Sequence, residues 1–258
     1  MVTYADRPWL QYYDDHVPAS LEPYPEKALH DYLRETAAKA PDTTALVTTV
    51  RLPVVGRLNS AFTYRELDEQ SDALAAALIA MGIQKGDRVA VMMLNVTAFA
   101  VSYYAILKAG GVMAAMNPTY PVKRLAYQMS DSGAKVAICM SLFYKDLQSV
   151  QSDTDLEQII VTNVKDYFPA LARTLFTLLA EKKGGHRVEQ LGAQDRWLLD
   201  VLAEYKGQTP KVDVQPDDLA LFQYTGGTTG VSKGAMGTHR ALVANSVALQ
   251  AWGGLSTA

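Results

Sequence analysis

Only one of the 258 residues, Cys139, is a cysteine, which excludes an internal disulfide and any metal site built from several cysteines. Histidine is scarce too: His16, His30, His186 and His239 show no mutual metal-ligand spacing. The net charge of −3, from 24 basic and 27 acidic residues, argues against a dedicated nucleic-acid binder. Long apolar runs are nearly missing. Residues 89–107 run 19 positions without a charge, but Asn95, Thr97 and Ser102 interrupt them and Lys108 closes them, so they read as a strand followed by a helix. Asp6, Arg7, Asp14 and Asp15 break any apolar core at the N-terminus, so no secretory leader is expected there. Internal repeats, low-complexity tracts and a Gly-x-Ser-x-Gly elbow are also missing. What is present is apolar content of 49%, enough to bury a sizeable core and to exclude disorder as a description of the whole chain.

Short β-branched apolar runs alternate with helical patterns, which predicts a layered α/β fold with a mostly parallel sheet flanked by helices. Strands are expected at residues 45–50, 89–94, 112–116, 136–140, 158–162 and 219–224. Several are continuously apolar, as strands covered on both faces should be. Thr63 with Glu66 forms a capping box for a helix that stops at Gly82. A second helix spans about residues 96–109, before Gly110-Gly111, and a third runs from Pro121 to about Gly133. Ser141 reads as the cap of a fourth. A fifth near 195–205 presents Trp197, Leu198, Val201 and Leu202, and a last one runs from about His239 to Trp252. Residues 209–218, with two prolines and paired acids, read as a linker.

The most informative segment is Tyr224-Thr-Gly-Gly-Thr-Thr-Gly-Val-Ser-Lys-Gly234, entered from an apolar strand. Gly226, Gly227 and Gly230 let backbone approach a ligand closely, and successive N–H groups there make an anion-binding concavity. Thr225, Thr228 and Thr229 add hydroxyl donors and Lys233 a point charge, a combination suited to a polyphosphate. The order Ser232-Lys233 is not that of a Walker loop, and the Gly-x-Gly-x-x-Gly spacing is absent. The bland alternative is a surface loop of turn residues.

This segment resembles the AMP-binding signature of the adenylate-forming superfamily, which includes acyl- and aryl-CoA ligases, peptide-synthetase adenylation domains and firefly luciferase. Residues 222–233 all fit the pattern, with Ser232 where proline is commonest. Four further stretches are similar to scaffold segments of the family: Phe62-Thr-Tyr-Arg-Glu-Leu67, Lys85-Gly-Asp-Arg-Val-Ala-Val-Met-Met-Leu-Asn95 (Leu94 replacing the usual proline), Ala105-Ile-Leu-Lys-Ala-Gly110 and Met116-Asn-Pro-Thr-Tyr-Pro121. Within the superfamily, Arg7-Pro-Trp-Leu-Gln-Tyr-Tyr-Asp-Asp-His-Val-Pro18 and Leu221-Phe-Gln-Tyr-Thr225 resemble bacterial long-chain fatty-acyl-CoA ligases.

The resemblance implies that a fatty acid and ATP give an acyl-adenylate and pyrophosphate, and that coenzyme A then takes the acyl group, with Mg as metal cofactor. It implies a catalytic role for Lys233 and phosphate binding by Thr225, Gly226, Gly227, Thr228, Thr229, Gly230 and Lys233. It identifies no metal ligand. Residues 1–210 would form the N-terminal α/β scaffold, and 211–258 would start the nucleotide-phosphate subdomain. The family's later segments, including the C-terminal lid domain with its catalytic lysine, do not occur in this sequence. The expectation is therefore an N-terminal portion that is inactive by itself and self-associates through uncovered apolar surface. Aryl, medium-chain or amino-acid specificity stays open, as does a non-catalytic nucleotide-binding or interaction protein. The lone thiol and the resemblance point to a cytoplasmic location.

Cys139, in a strand pattern, reads as core rather than nucleophile. His239, just past the loop, is a candidate for approaching nucleotide or substrate. In residues 168–183, Phe168, Leu171, Leu175, Leu178 and Leu179 share one helical face, with Arg173, Lys182, Lys183 and Arg187 around it. The plainer reading is a helix covering the core. The alternative is a peripheral contact with the inner face of the membrane.

Overall fold

The computed structural model describes residues 4–52, 55–225 and 232–254. Seven strands form one sheet in the order β7-β6-β5-β3-β4-β8-β9. They are β3 (Arg88–Met92), β4 (Val112–Ala115), β5 (Val136–Met140), β6 (Gln158–Thr162), β7 (Arg196–Trp197), β8 (Leu219–Thr225) and β9 (Lys233–Thr238). All pairings are parallel except β8–β9. The fold class is thus the expected one. The strand at 45–50 does not join this sheet: β1 (Thr44–Leu52) pairs antiparallel with β2 (Gly56–Thr63) in a separate hairpin. Its half-exposed alternation, unlike the continuous burial of β3 and β5, is the pattern of a ribbon covered on one face.

Burial on both faces explains the sequence of the central strands. Val89, Val91, Val136, Ile138 and Met140 pack into one core with α1 (Leu29–Lys39), α2 (Tyr64–Ala80), α3 (Thr97–Lys108) and α7 (Leu198–Glu204). The alternate residues Ala90, Met92, Ala137 and Cys139 face a second core with α4 (Val122–Ser132) and α5 (Tyr144–Val150). Cys139 is fully buried and burial pushes its thiol up, so it is core and not a nucleophile.

The capping box at the start of α2 is present, whereas the cap expected at Ser141 is not. Thr63 accepts from the Glu66 N–H at 3.2 Å, and the Glu66 carboxylate accepts from the Thr63 N–H at 2.7 Å. Ser141 does not cap: it opens a 3₁₀ turn ahead of α5, and its hydroxyl lies 3.3 Å from His186 Nδ1. Residues 209–218 carry no helix or strand, yet they are fastened to the sheet. Lys85 Nζ donates to the Asp213 carbonyl at 2.8 Å and pairs with Asp218 at 2.7 Å. Gly110 adopts φ +72°, where a Cβ would meet Val212 at 2.9 Å.

The reading of residues 168–183 as a core-covering helix is corrected by the structure. α6 (Ala170–Leu179) buries only Ala172 fully, and Leu171, Leu178 and Leu179 are 51%, 74% and 74% exposed. The apolar face exists, but it points largely away from the core. Among the described residues, no helix is long and apolar enough to cross a membrane.

Candidate phosphate-binding site

The predicted site starts where β8 reaches its carboxyl end, the edge at which open α/β sheets bind ligands. Thr225 is the last residue of β8 and Lys233 the first of β9, and the antiparallel register sets them opposite each other. Thr225 Oγ1 donates to the Lys233 carbonyl at 3.4 Å. Both side chains are exposed. Gly226, Gly227, Thr228, Thr229 and Gly230 lie outside the described residues. β9 is a strand that the sequence reading missed: Lys233–Thr238 has too few large side chains to signal one, and it is held by pairing with β8.

Two contacts hold the ends of the 226–231 segment to one helix. On the β8 side, Tyr224 is buried and its hydroxyl donates to Asp131 Oδ2 at 2.8 Å. Burial and then Asp131 push the phenol up, so it stays a donor. A Cβ at Gly234, opposite Tyr224, would touch its ring at 3.4 Å. On the β9 side, Ser232 is buried, and its Oγ accepts from Arg124 Nε at 2.9 Å and Nη2 at 2.7 Å. Asp131 and Arg124 both belong to α4, which follows β4, the neighbour of β8. Neither was singled out from the sequence, because they lie 93 and 108 residues from their partners.

His239, the candidate for approaching nucleotide or substrate, is turned into the protein interior. It is fully buried at the start of α8 (His239–Trp252), its Nδ1 accepts from the Leu29 N–H at 3.1 Å, and its ring lies 5.8 Å from that of His30. Burial lowers both imidazoles, His30 to about 3, so both are neutral at pH 7 and join α1 to α8. Among the described residues, no cluster of three or more His, Cys, Asp or Glu could hold a metal ion.

A mostly parallel, helix-covered sheet whose strand β8 ends at Thr225 and whose next strand opens at Lys233 is the layout of an adenylate-forming α/β domain. Residues 33–256 match the AMP-binding enzyme family, and the chain belongs to it. It is similar to the long-chain-fatty-acid–CoA ligase of Bacillus subtilis (strain 168), with 34% identity over 251 residues, 96% of this chain and 43% of that protein. The ligase of the same name from Escherichia coli O157:H7 is 34% identical over 245 residues, 92% of this chain and 41% of that protein. Among solved structures, a long-chain-fatty-acid-CoA ligase (FadD1) from Archaeoglobus fulgidus superposes with TM-score 0.71 at 26% identity, over 95% of this chain and 43% of that one. The chain thus spans less than half the length of these relatives.

Proposed function

We propose that these residues form the N-terminal portion of an ATP-dependent long-chain fatty-acid–CoA ligase. The observation that carries this reading is the 34% identity to the Bacillus subtilis ligase across 96% of the chain. In the first step a fatty-acid carboxylate attacks the α-phosphorus of ATP and pyrophosphate leaves; coenzyme A then takes the acyl group. Lys233 and Thr225, with Gly226, Gly227, Thr228, Thr229 and Gly230, would bind the departing phosphates and offset the charge that develops on them. The exposed Lys233 ammonium and the Thr225 hydroxyl opposite it suit that anion. Mg is required by such chemistry, and its ligands would lie beyond the residues described.

Carboxylate-dependent ATP–pyrophosphate exchange tests the reading. The isolated 258-residue chain is expected to show none, and the complete ligase to show most with long-chain acids. Clear exchange by the isolated chain would refute its incompleteness. Faster exchange by the complete ligase with aromatic or amino acids would replace the substrate class.

The same reading sets α6 against an anionic bilayer, the source of the acid. What supports it is the exposure of Leu171, Leu178 and Leu179 beside the exposed cations Arg173, Lys182, Lys183 and Arg187. The chain is expected to float with phosphatidylglycerol-containing vesicles and to stay behind when these three leucines are changed to glutamate. Equal flotation of the triple variant removes the contact. Flotation of residues 1–258 but not of the complete ligase would show that the rest of the protein covers this face instead.

A further inference from the structure

We infer that Arg124 belongs to the phosphate site: it fixes Ser232, and thereby the stem that carries Lys233, and it supplies a second positive charge to a bound polyphosphate. The inference rests on the ligase reading only in taking Thr225 and Lys233 as phosphate contacts.

Three observations meet at this side chain. First, Arg124 directs Nε and Nη2 at a single acceptor, Ser232 Oγ, at 2.9 and 2.7 Å. That edge of a guanidinium ordinarily matches the two oxygens of a carboxylate or phosphate. Here both N–H groups converge on one neutral hydroxyl, which is 2% exposed and so held in place. Second, the guanidinium carbon lies 3.9 Å from the centroid of the Tyr120 ring, which orients its plane. Third, no described carboxylate pairs with Arg124, although the basic residues Lys85, Arg88, Lys108 and Arg240 all have acidic partners. A half-buried guanidinium with no carboxylate partner among the described residues, bonded to Ser232, the residue before the lysine that opens β9, is a charge arranged for an anionic ligand.

The helix that carries Arg124 also holds the other stem. Asp131 stands two turns further along α4 and accepts from Tyr224. α4 therefore spans both ends of the hairpin, and the distance between Thr225 and Lys233 is set from one rigid element. Ser232 is the residue that makes this possible, since a proline at its place would offer Arg124 no side-chain acceptor.

Calorimetric titration of residues 1–258 with inorganic tripolyphosphate tests the inference, with a thermal melt of every variant. Arg124→Gln is expected to weaken binding about tenfold, the loss of a charge-assisted contact, with the melting midpoint little changed. Arg124→Lys should recover part of that loss through its charge. Ser232→Ala should weaken binding by a smaller factor. The double variant Arg124→Gln/Ser232→Ala should bind no worse than Arg124→Gln, because both substitutions remove the same contact. Unchanged affinity in Arg124→Gln, together with a tenfold loss in Lys233→Ala, would overturn the inference and leave the phosphate site standing. Absence of binding by the wild-type chain, or indifference to Lys233→Ala, would overturn the phosphate reading and this inference together.

Discussion

Lys108→Met is expected to destabilise the chain by about 3–5 kcal/mol, the usual cost of removing one partner from a buried ion cluster. The Lys108 side chain is fully buried at the end of α3, and its Nζ reaches Asp68 Oδ1 at 2.6 Å, the Asp68 carbonyl at 2.9 Å and Asp72 Oδ1 at 2.7 Å. Both acids are on α2, so the ammonium joins α2 to α3 inside the larger core. Burial pulls the lysine down, and the hydrogen bonds it donates to Asp68 and Asp72 oppose that pull. Methionine keeps most of the apolar stem's packing but leaves Asp72 buried with only Arg34, at 3.1 Å, to balance it. Urea unfolding should show the midpoint falling sharply, and Lys108→Met/Asp72→Asn should recover at least half of the loss. A single-variant cost below about 1 kcal/mol, the range of an exposed ion pair, would mean that the cluster is not desolvated as described.

Lys233→Ala should have the largest effect on activity. In a complete ligase made by fusing residues 1–258 to the C-terminal part of the Bacillus subtilis relative, adenylation is expected to slow by about 10²-fold or more. That is the usual consequence of removing one preorganised group from developing charge. Lys233 is exposed at the first position of β9, so stability should change by less than about 0.5 kcal/mol. The loss should fall on the turnover of exchange rather than on fatty-acid affinity, because the lysine acts on the phosphates and not on the acid. Unchanged exchange kinetics would remove Lys233 from the catalytic assignment.

Much of the fold is legible without coordinates. The strands at 136–140 and 158–162 match in both bounds, and the Thr63–Glu66 box starts α2 where expected. These features are local: an apolar run between turn residues, or a side chain three positions from the N–H it accepts from. The misses arise where the local pattern is weak or where packing decides. β9 is rich in small residues and has no strand signature of its own. The apolar face of α6 is real, but periodicity says that a face exists and not what covers it. His239 follows the signature segment in sequence, yet α8 turns it inward against His30.

The candidate site divides in the same way. Thr225 and Lys233 stand out as candidates in the sequence because they flank a Gly/Thr-rich segment. The braces, Arg124 to Ser232 and Asp131 to Tyr224, are not. A hydrogen bond across about a hundred residues depends on β4 and β8 being neighbours in the sheet, and no local pattern encodes that adjacency. The sequence by itself determined the α/β class, the order of most elements, the family likeness and the position of the Gly/Thr-rich segment proposed to bind phosphate. Only the tertiary structure decided that α4 holds both ends of that segment, that Lys108 lies buried between two acids, and that α6 turns its leucines outward. Each of these depends on which elements pack together, and that is settled by the burial of whole faces rather than by the residues on either side of a given position.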